Sequence, residues 1–318
     1  MRENEDFGGV SHAAEGGGHC IPDTHQAGAS PALEDLCDEM RAHHRRRLYL
    51  IKVKNSIRLQ LGSFIRFNVY GYSTFDEEKD RKKIEKQSDS LIAAVEKGKM
   101  DGVDQEAFDA VSGLIAITLG GVAPFESAIK EHDKALEKLG KQLPVWDAWA
   151  KDVKGLGAKS LAMIIGETGN LDNYANPGKV WKRLGLAVNE WGKRQGAPDK
   201  TSDKAEMKMR WIGEGYNPSR RSVSWQAMDS LFKAQLSRVD EETGEFIKPL
   251  GPYGEVYHAK KSDYMARVEA GDGKWTKARA DKAARRYTEK RVLKHLWRAW
   301  RGQVWDDDQE SFAPTPPT

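Results

Sequence analysis

An all-α fold is what this 318-residue chain predicts. Apolar side chains return every three or four positions over long stretches, and alternating runs of β-branched residues are scarce. Gly71, Gly102, Gly120-Gly121 and Pro144 punctuate the periodic segments. With 39% hydrophobic residues there is enough apolar side chain to fill at least one core. Two cysteines, Cys20 and Cys37, are too few for a disulfide framework and fit a reducing compartment. No unbroken apolar run reaches the roughly 18 residues of a membrane span, and the first thirty residues lack the pattern of a secretory signal. The expectation is a soluble cytoplasmic protein with no membrane partner.

Taken in order, residues 1–35 are rich in Gly, Ala, His and Asp and read as a disordered tail. His12, His19, Cys20, His25 and Cys37 have no spacing that closes a four-ligand zinc template, so no metal or other cofactor is expected. From Leu36 to Leu143 the texture is that of a helical arm or bundle. Its first long helix covers 41–68, where Leu48, Ile51, Ile57, Leu61 and Phe64 recur at helical steps, the pattern of a coiled-coil arm that could join two copies. Further helices are expected over about 77–98, 104–119 and 121–142, with Gly120-Gly121 as a break. Residues 144–302 form the next unit, and 303–318 a flexible acidic, Pro/Thr-rich tail.

Net charge is only +3, but it is unevenly spread: Lys151 to Trp300 holds 30 basic against 19 acidic side chains. A locally basic segment attracts polyanions whatever the rest of the chain carries.

Within that segment, Val145-Trp146-Asp147-Ala148-Trp149 enters a Gly155-Leu156-Gly157 turn, and the apolar helix Leu161-Ala162-Met163-Ile164-Ile165 leaves it. This has the form of a helix-hairpin-helix. Glycines admit unusual backbone angles and leave no Cβ in the way of a phosphate. The turn's N–H groups would sit at the positive end of the second helix. Lys154 and Lys159 flank the turn, and Ser160 adds a hydroxyl. Such contacts position a backbone without reading bases. The same residues would equally close a structural αα-hairpin, with Leu156 as its plug.

The chain continues Gly166-Glu167, Tyr174, Asn176-Pro177 opening a helix over about 177–184, and Leu184-Gly185-Leu186. Gly215-Tyr216-Asn217-Pro218-Ser219-Arg220-Arg221 opens another helix to about Arg238, and Gly254 to Ala270 and about 276–300 follow. Over about 145–301 this order resembles the C-terminal domain of transposases of the IS110/IS116/IS902 type. The resemblance implies DNA binding in a mobile element, with structured RNA as a second polyanion. It also implies an N-terminal RuvC-like domain with metal-binding carboxylates and a serine nucleophile after the Gly-Leu element. Neither is recognisable: the first 150 residues show no strands to seat carboxylates such as Asp76, Asp101 or Asp104, and Ala187 to Gly192 contains no serine, while Ser202 lies in a polar insertion.

The last helix carries Lys282, Arg286, Lys290, Lys294 and Arg298 at strict four-residue steps, a cationic stripe beside apolar Leu293, Leu296 and Trp297. Trp181, Trp191, Trp211, Trp225, Trp275, Trp297 and Trp300 crowd this half. Most should be core; a few could stack on unpaired bases. The function expected is that of a DNA-binding, transposase-like protein, not catalytic by itself. The rivals are a recombinase or nuclease component acting with a separate catalytic subunit, and a protein-interaction scaffold.

Overall fold

The computed structural model describes residues 31–73, 77–99, 102–188, 194–196, 203–240 and 242–303. Among these there are ten α-helices, two isolated β-bridges and no strand, so the fold is all-α. The expected disorder of residues 1–30 and 304–318 lies outside the described residues. Residues 31–35 are not tail: they form the first turn of a helix, with Pro31 where a missing N–H costs nothing.

That helix, α1 (Pro31–Asn68), is about 57 Å long at 1.5 Å per residue. A short second helix, α2 (Glu78–Lys97), ends on Gly98 in the left-handed conformation. It leads to α3 (Gln105–Gly140), capped by Asp104, whose carboxylate accepts from the Ala107 N–H at 2.8 Å. The expected break at Gly120-Gly121 does not occur. Pro124 sits inside α3, and the carbonyl its ring crowds belongs to Gly120, where the backbone is freest to yield. Packing along α1 carries the helix through. The two run antiparallel, with Arg47 on Asp133 (2.5 Å), Lys54 on Glu126 (3.4 Å) and His43 on His132 (2.9 Å).

The remaining helices are α4 (Pro144–Ala148), α5 (Ala158–Thr168), α6 (Pro177–Arg183), α7 (Lys204–Gly213), α8 (Pro218–Gln235), α9 (Pro252–Glu269) and α10 (Lys277–Trp300). Helix α7, capped by Asp203, begins at the end of what reads as polar insertion and has no buried residue. The central helix is α5: Leu161, Ile164 and Ile165 are fully enclosed, with α1, α3 and α8 packed around them. Each such aliphatic contributes on the order of 1.5–3 kcal/mol by leaving water.

The apolar core runs without interruption from Cys37 and Met40 of α1, through Leu136 and Leu139 of α3, to Leu293 and Trp297 of α10. The boundary expected at 143/144 therefore falls inside a core. Gly140 shows how close the two parts come: a Cβ there would lie 2.2 Å from the Ala158 carbonyl oxygen. Cys37 is buried in this core, where burial pushes its thiol up to about 12. A second, smaller core of Leu61, Ile65, Leu91, Ala107, Val111 and Ile115 closes the far end of the α1–α3 arm under α2.

Alongside the second core α3 presents Leu114 and Ile117 to solvent, 42% and 77% exposed, in a stretch free of charge from Ala110 to Phe125. By length and mean hydropathy (1.6 over 18 residues) α3 could cross a membrane, although no unbroken apolar run marks it as a span. On α1, Tyr49, Leu59, Phe64 and Phe67 are exposed as well.

Candidate nucleic-acid interface

The hairpin forms where expected, but its two glycines do different work. Gly155 adopts φ +91° and lies against α8, where a Cβ would come 2.7 Å from Leu231 Cα and 2.8 Å from Ala234 Cβ. It is a close-packing glycine, and Leu156 is indeed a buried plug. Gly157 has open space around it and an ordinary φ of −69°. It precedes α5, whose N-terminus has no side-chain cap. Lys154 is exposed, and its carbonyl accepts from Gln235 Nε2 at 2.8 Å. Lys159 leans on Asp133 at 3.4 Å, and half-buried Ser160 stands in the first turn of α5.

Arg220 and Arg221 are turned inward. Arg220 Nε is 3.4 Å from Glu167, a carboxylate that also meets His44 Nε2 at 3.2 Å. Burial alone would raise Glu167, but His44, Arg220 and Arg183 together hold it below the usual carboxylate range. Arg221 grips the buried Glu289 with both arms, at 2.8 and 2.9 Å, and Ser224 Oγ donates to the same carboxylate at 2.5 Å. Both arginines thus hold helices together: α8 to α5 in one case, α8 to α10 in the other.

The cations that gather are those of α10. A cleft of about 880 Å³ has one face of α10 as its floor, with Arg279, Lys282, Arg286 and Lys290 projecting into it. Tyr264 and Trp275 line it from the α9 side, and Leu186, Val188 and Arg194 from the segment after α6. Among the described residues its lining holds five Lys and Arg side chains and no carboxylate. The crowding is costly: burial and repulsion from Arg194 and Arg221 pull Arg286 down, and burial and Arg286 do the same to Lys290. Aromatic rings hold two of these cations. Arg279 lies 5.0 Å over Trp275, itself stacked on Tyr264 at 4.9 Å and 14°, and Lys290 lies 5.3 Å over Trp181.

Two further clefts continue the basic surface. One of about 280 Å³ shares Arg194, Lys282 and Arg286 with the first and adds Arg285 and the half-exposed Trp225. Another of about 960 Å³ shares Arg285 and Phe232 with the second and adds Lys233, Arg238, Lys248 and Lys261.

Of the expected stripe, Lys282, Arg286 and Lys290 face the first cleft together, whereas Lys294 and Arg298 do not line it. Four residues advance a helix by about 40° beyond a full turn, so the stripe winds about 160° from first to last. Arg279 belongs to the cleft because three residues before Lys282 is inside the same sector, a placement the helical step makes available from sequence. Arg194 carries no such signal, since its place comes from a single bridge to Val188. Of the tryptophans, Trp181, Trp297 and Trp300 pack in or against the core, and the Nε1 groups of the last two donate to the Tyr174 carbonyl and to Asn170, whereas Trp225 is exposed and Trp191 lies outside the described residues.

Among the described residues no group of His, Cys, Asp and Glu could hold a metal ion. Asp104 is a helix cap, while Asp76, Asp101, the Asn189–Gly192 segment and Ser202 lie outside the described residues. Comparison with family models, with curated proteins and with solved structures finds no match for this chain.

Proposed function

We propose that this protein binds nucleic acid through its phosphate backbone, DNA first, as a transposase-like component of a mobile element that does not cut strands by itself. One observation carries the reading: five cations converge on the α10 cleft with no carboxylate among the described residues that line it. Bringing like charges together costs free energy that a bound polyanion returns. The resemblance to IS110-type transposases supports the same class from the order of motifs over about 145–301. The hairpin contributes less than its pattern suggests, through Gly157, Lys154 and Lys159 rather than Gly155, which α8 covers.

The test is retention of DNA by the full chain across a salt series. If the five cleft cations each neutralise one phosphate, log affinity falls with log salt at a slope of about −4.5 for duplex, or about −3.5 for a single strand. Affinity should change little with sequence. Absence of DNA and RNA retention at low salt overturns the reading. Mg²⁺-dependent strand cleavage removed by EDTA overturns its non-catalytic part.

A second reading, an interaction scaffold, is favoured by the exposed apolar residues of the arm, Leu59 and Phe67 on α1 and Leu114 and Ile117 on α3. Self-association through the 41–68 helix belongs to this reading. It is compatible with nucleic-acid binding, because the residues differ.

A further inference from the structure

We propose that the strand held in the α10 cleft is unpaired: the cleft takes a run of single-stranded nucleotides, not a duplex. The proposal rests on the nucleic-acid reading above and specifies its ligand. Concavity is the first argument. The cations line an indentation of about 880 Å³, whereas a duplex is a convex rod whose major groove alone is about 12 Å wide. A single strand can enter such a cleft and bring several phosphates within reach of cations on its floor and sides; a duplex would meet the exposed Arg194, Arg279 and Lys282 but reach the half-buried Arg286 and Lys290 less well.

The second argument is the composition of the lining. Tyr264, Trp275 and Tyr287 share the cleft with the cations. Phosphate contacts to a duplex need no aromatic groups, because paired bases are stacked on each other. An unpaired base has two free faces, and an aromatic ring beside a cation is the surface that replaces its lost stacking. Trp275 is already ordered, stacked on Tyr264 and flanked by Arg267 and Arg279 at 5.3 and 5.0 Å from its ring, so that a base would take the place of a guanidinium there. Little ordering therefore remains to be done when a strand arrives.

The third argument is the start of α10. Thr276 caps the helix, and Thr276, Ala278 and Arg279 all line the cleft. The positive end of a 24-residue helix thus adds to the side-chain charges at that point.

The experiment uses the full chain and four fluorescent probes: a twelve-residue oligothymidylate, the corresponding oligouridylate, a blunt 20-base-pair duplex and thymidine monophosphate. Anisotropy is read for the native protein, for Arg194→Ala/Lys282→Ala and for Trp275→Ala. Arg194 and Lys282 are exposed, so the double variant keeps its fold; circular dichroism melting checks each protein. The expected result is tighter binding of the single strands than of the duplex, and a loss of at least tenfold for single strands in the double variant. Trp275→Ala should cost about 5- to 100-fold on single strands and little on duplex. Comparison of the two oligonucleotides separates DNA from RNA as the source of the strand.

Duplex bound as tightly as single strand, or equal losses for both in the variants, overturns this inference and leaves nucleic-acid binding standing. Mononucleotide binding as tight as that of the twelve-residue strand also overturns it. Failure of all four probes to bind at low salt removes the functional reading itself.

Discussion

Glu167 sits where four charged or ionisable side chains meet, and its position sets a pH dependence. His44, Arg220 and Arg183 stabilise its carboxylate in the folded chain, so its folded pKa lies below the unfolded value of about 4.3. Its contribution is complete above that unfolded value and is lost as falling pH protonates the folded carboxylate. Melting temperature should therefore drop as pH is taken from about 5 to about 3. Glu167→Gln should start lower and lose less over that range, as thermal denaturation at each pH would show. Glu289 differs, because burial pushes its carboxyl up against the pull of Arg221. Its double hydrogen bond to Arg221 still makes removal expensive: Glu289→Ala strands a guanidinium that is only 19% exposed, at about 3–5 kcal/mol measured by urea denaturation. Sequence shows Arg220 and Arg221 as charges at a helix start, which is also how a nucleic-acid contact would look. Their carboxylate partners lie 53 and 68 positions away, a separation no local pattern reports.

At the scale of the element, most helices are legible because caps and periodicity are local. Asn176-Pro177 and Asn217-Pro218 each announce a start that the structure keeps, with the Asn side chain accepting from the first turn. What local pattern misses is context. Gly120-Gly121 reads as a break because isolated glycines weaken a helix, yet packing on α1 outweighs that weakness. Gly-Leu-Gly reads as one motif, yet its glycines face different surroundings. Gly155→Ala should destabilise by about 2–5 kcal/mol, from a left-handed residue gaining a Cβ and from overpacking against Leu231. Gly157→Ala should stay within about 1 kcal/mol of the native chain. Thermal melting of the pair decides the matter. Loss of DNA binding in Gly155→Ala alone would report unfolding rather than a lost phosphate contact. The cationic stripe is similar: its charges are plain in the sequence, but the cleft that collects three of them is lined jointly by α10, Tyr264 of α9 and Leu186, Val188 and Arg194.

For the molecule as a whole, the all-α class was readable from pattern, while the partition into arm and binding unit was not. Charge and composition change near residue 144, but cores are defined by contact, and Cys37, Met40, Leu136 and Leu139 complete the one that encloses α5. A fragment beginning at residue 144 loses those four side chains and the α3 and α1 walls of α5. It should melt without cooperativity, whereas the full chain should melt in a cooperative transition; calorimetry of the two decides it. The same continuity ties the arm rigidly to the basic surface. Between Met40 in one core and Ile65 in the other, α1 spans about 38 Å without interruption. Such a strut has a phase as well as a length. Deleting seven residues from the middle of both α1 and α3 would bring the far core about 10 Å nearer and turn it by only about 20°. Deleting five from each would turn each far segment by about 140° about its own helix axis, so that Leu61 and Ile65 of α1 and Val111 and Ile115 of α3 would no longer face the core they share. Whether the far core can close is therefore set by residue count.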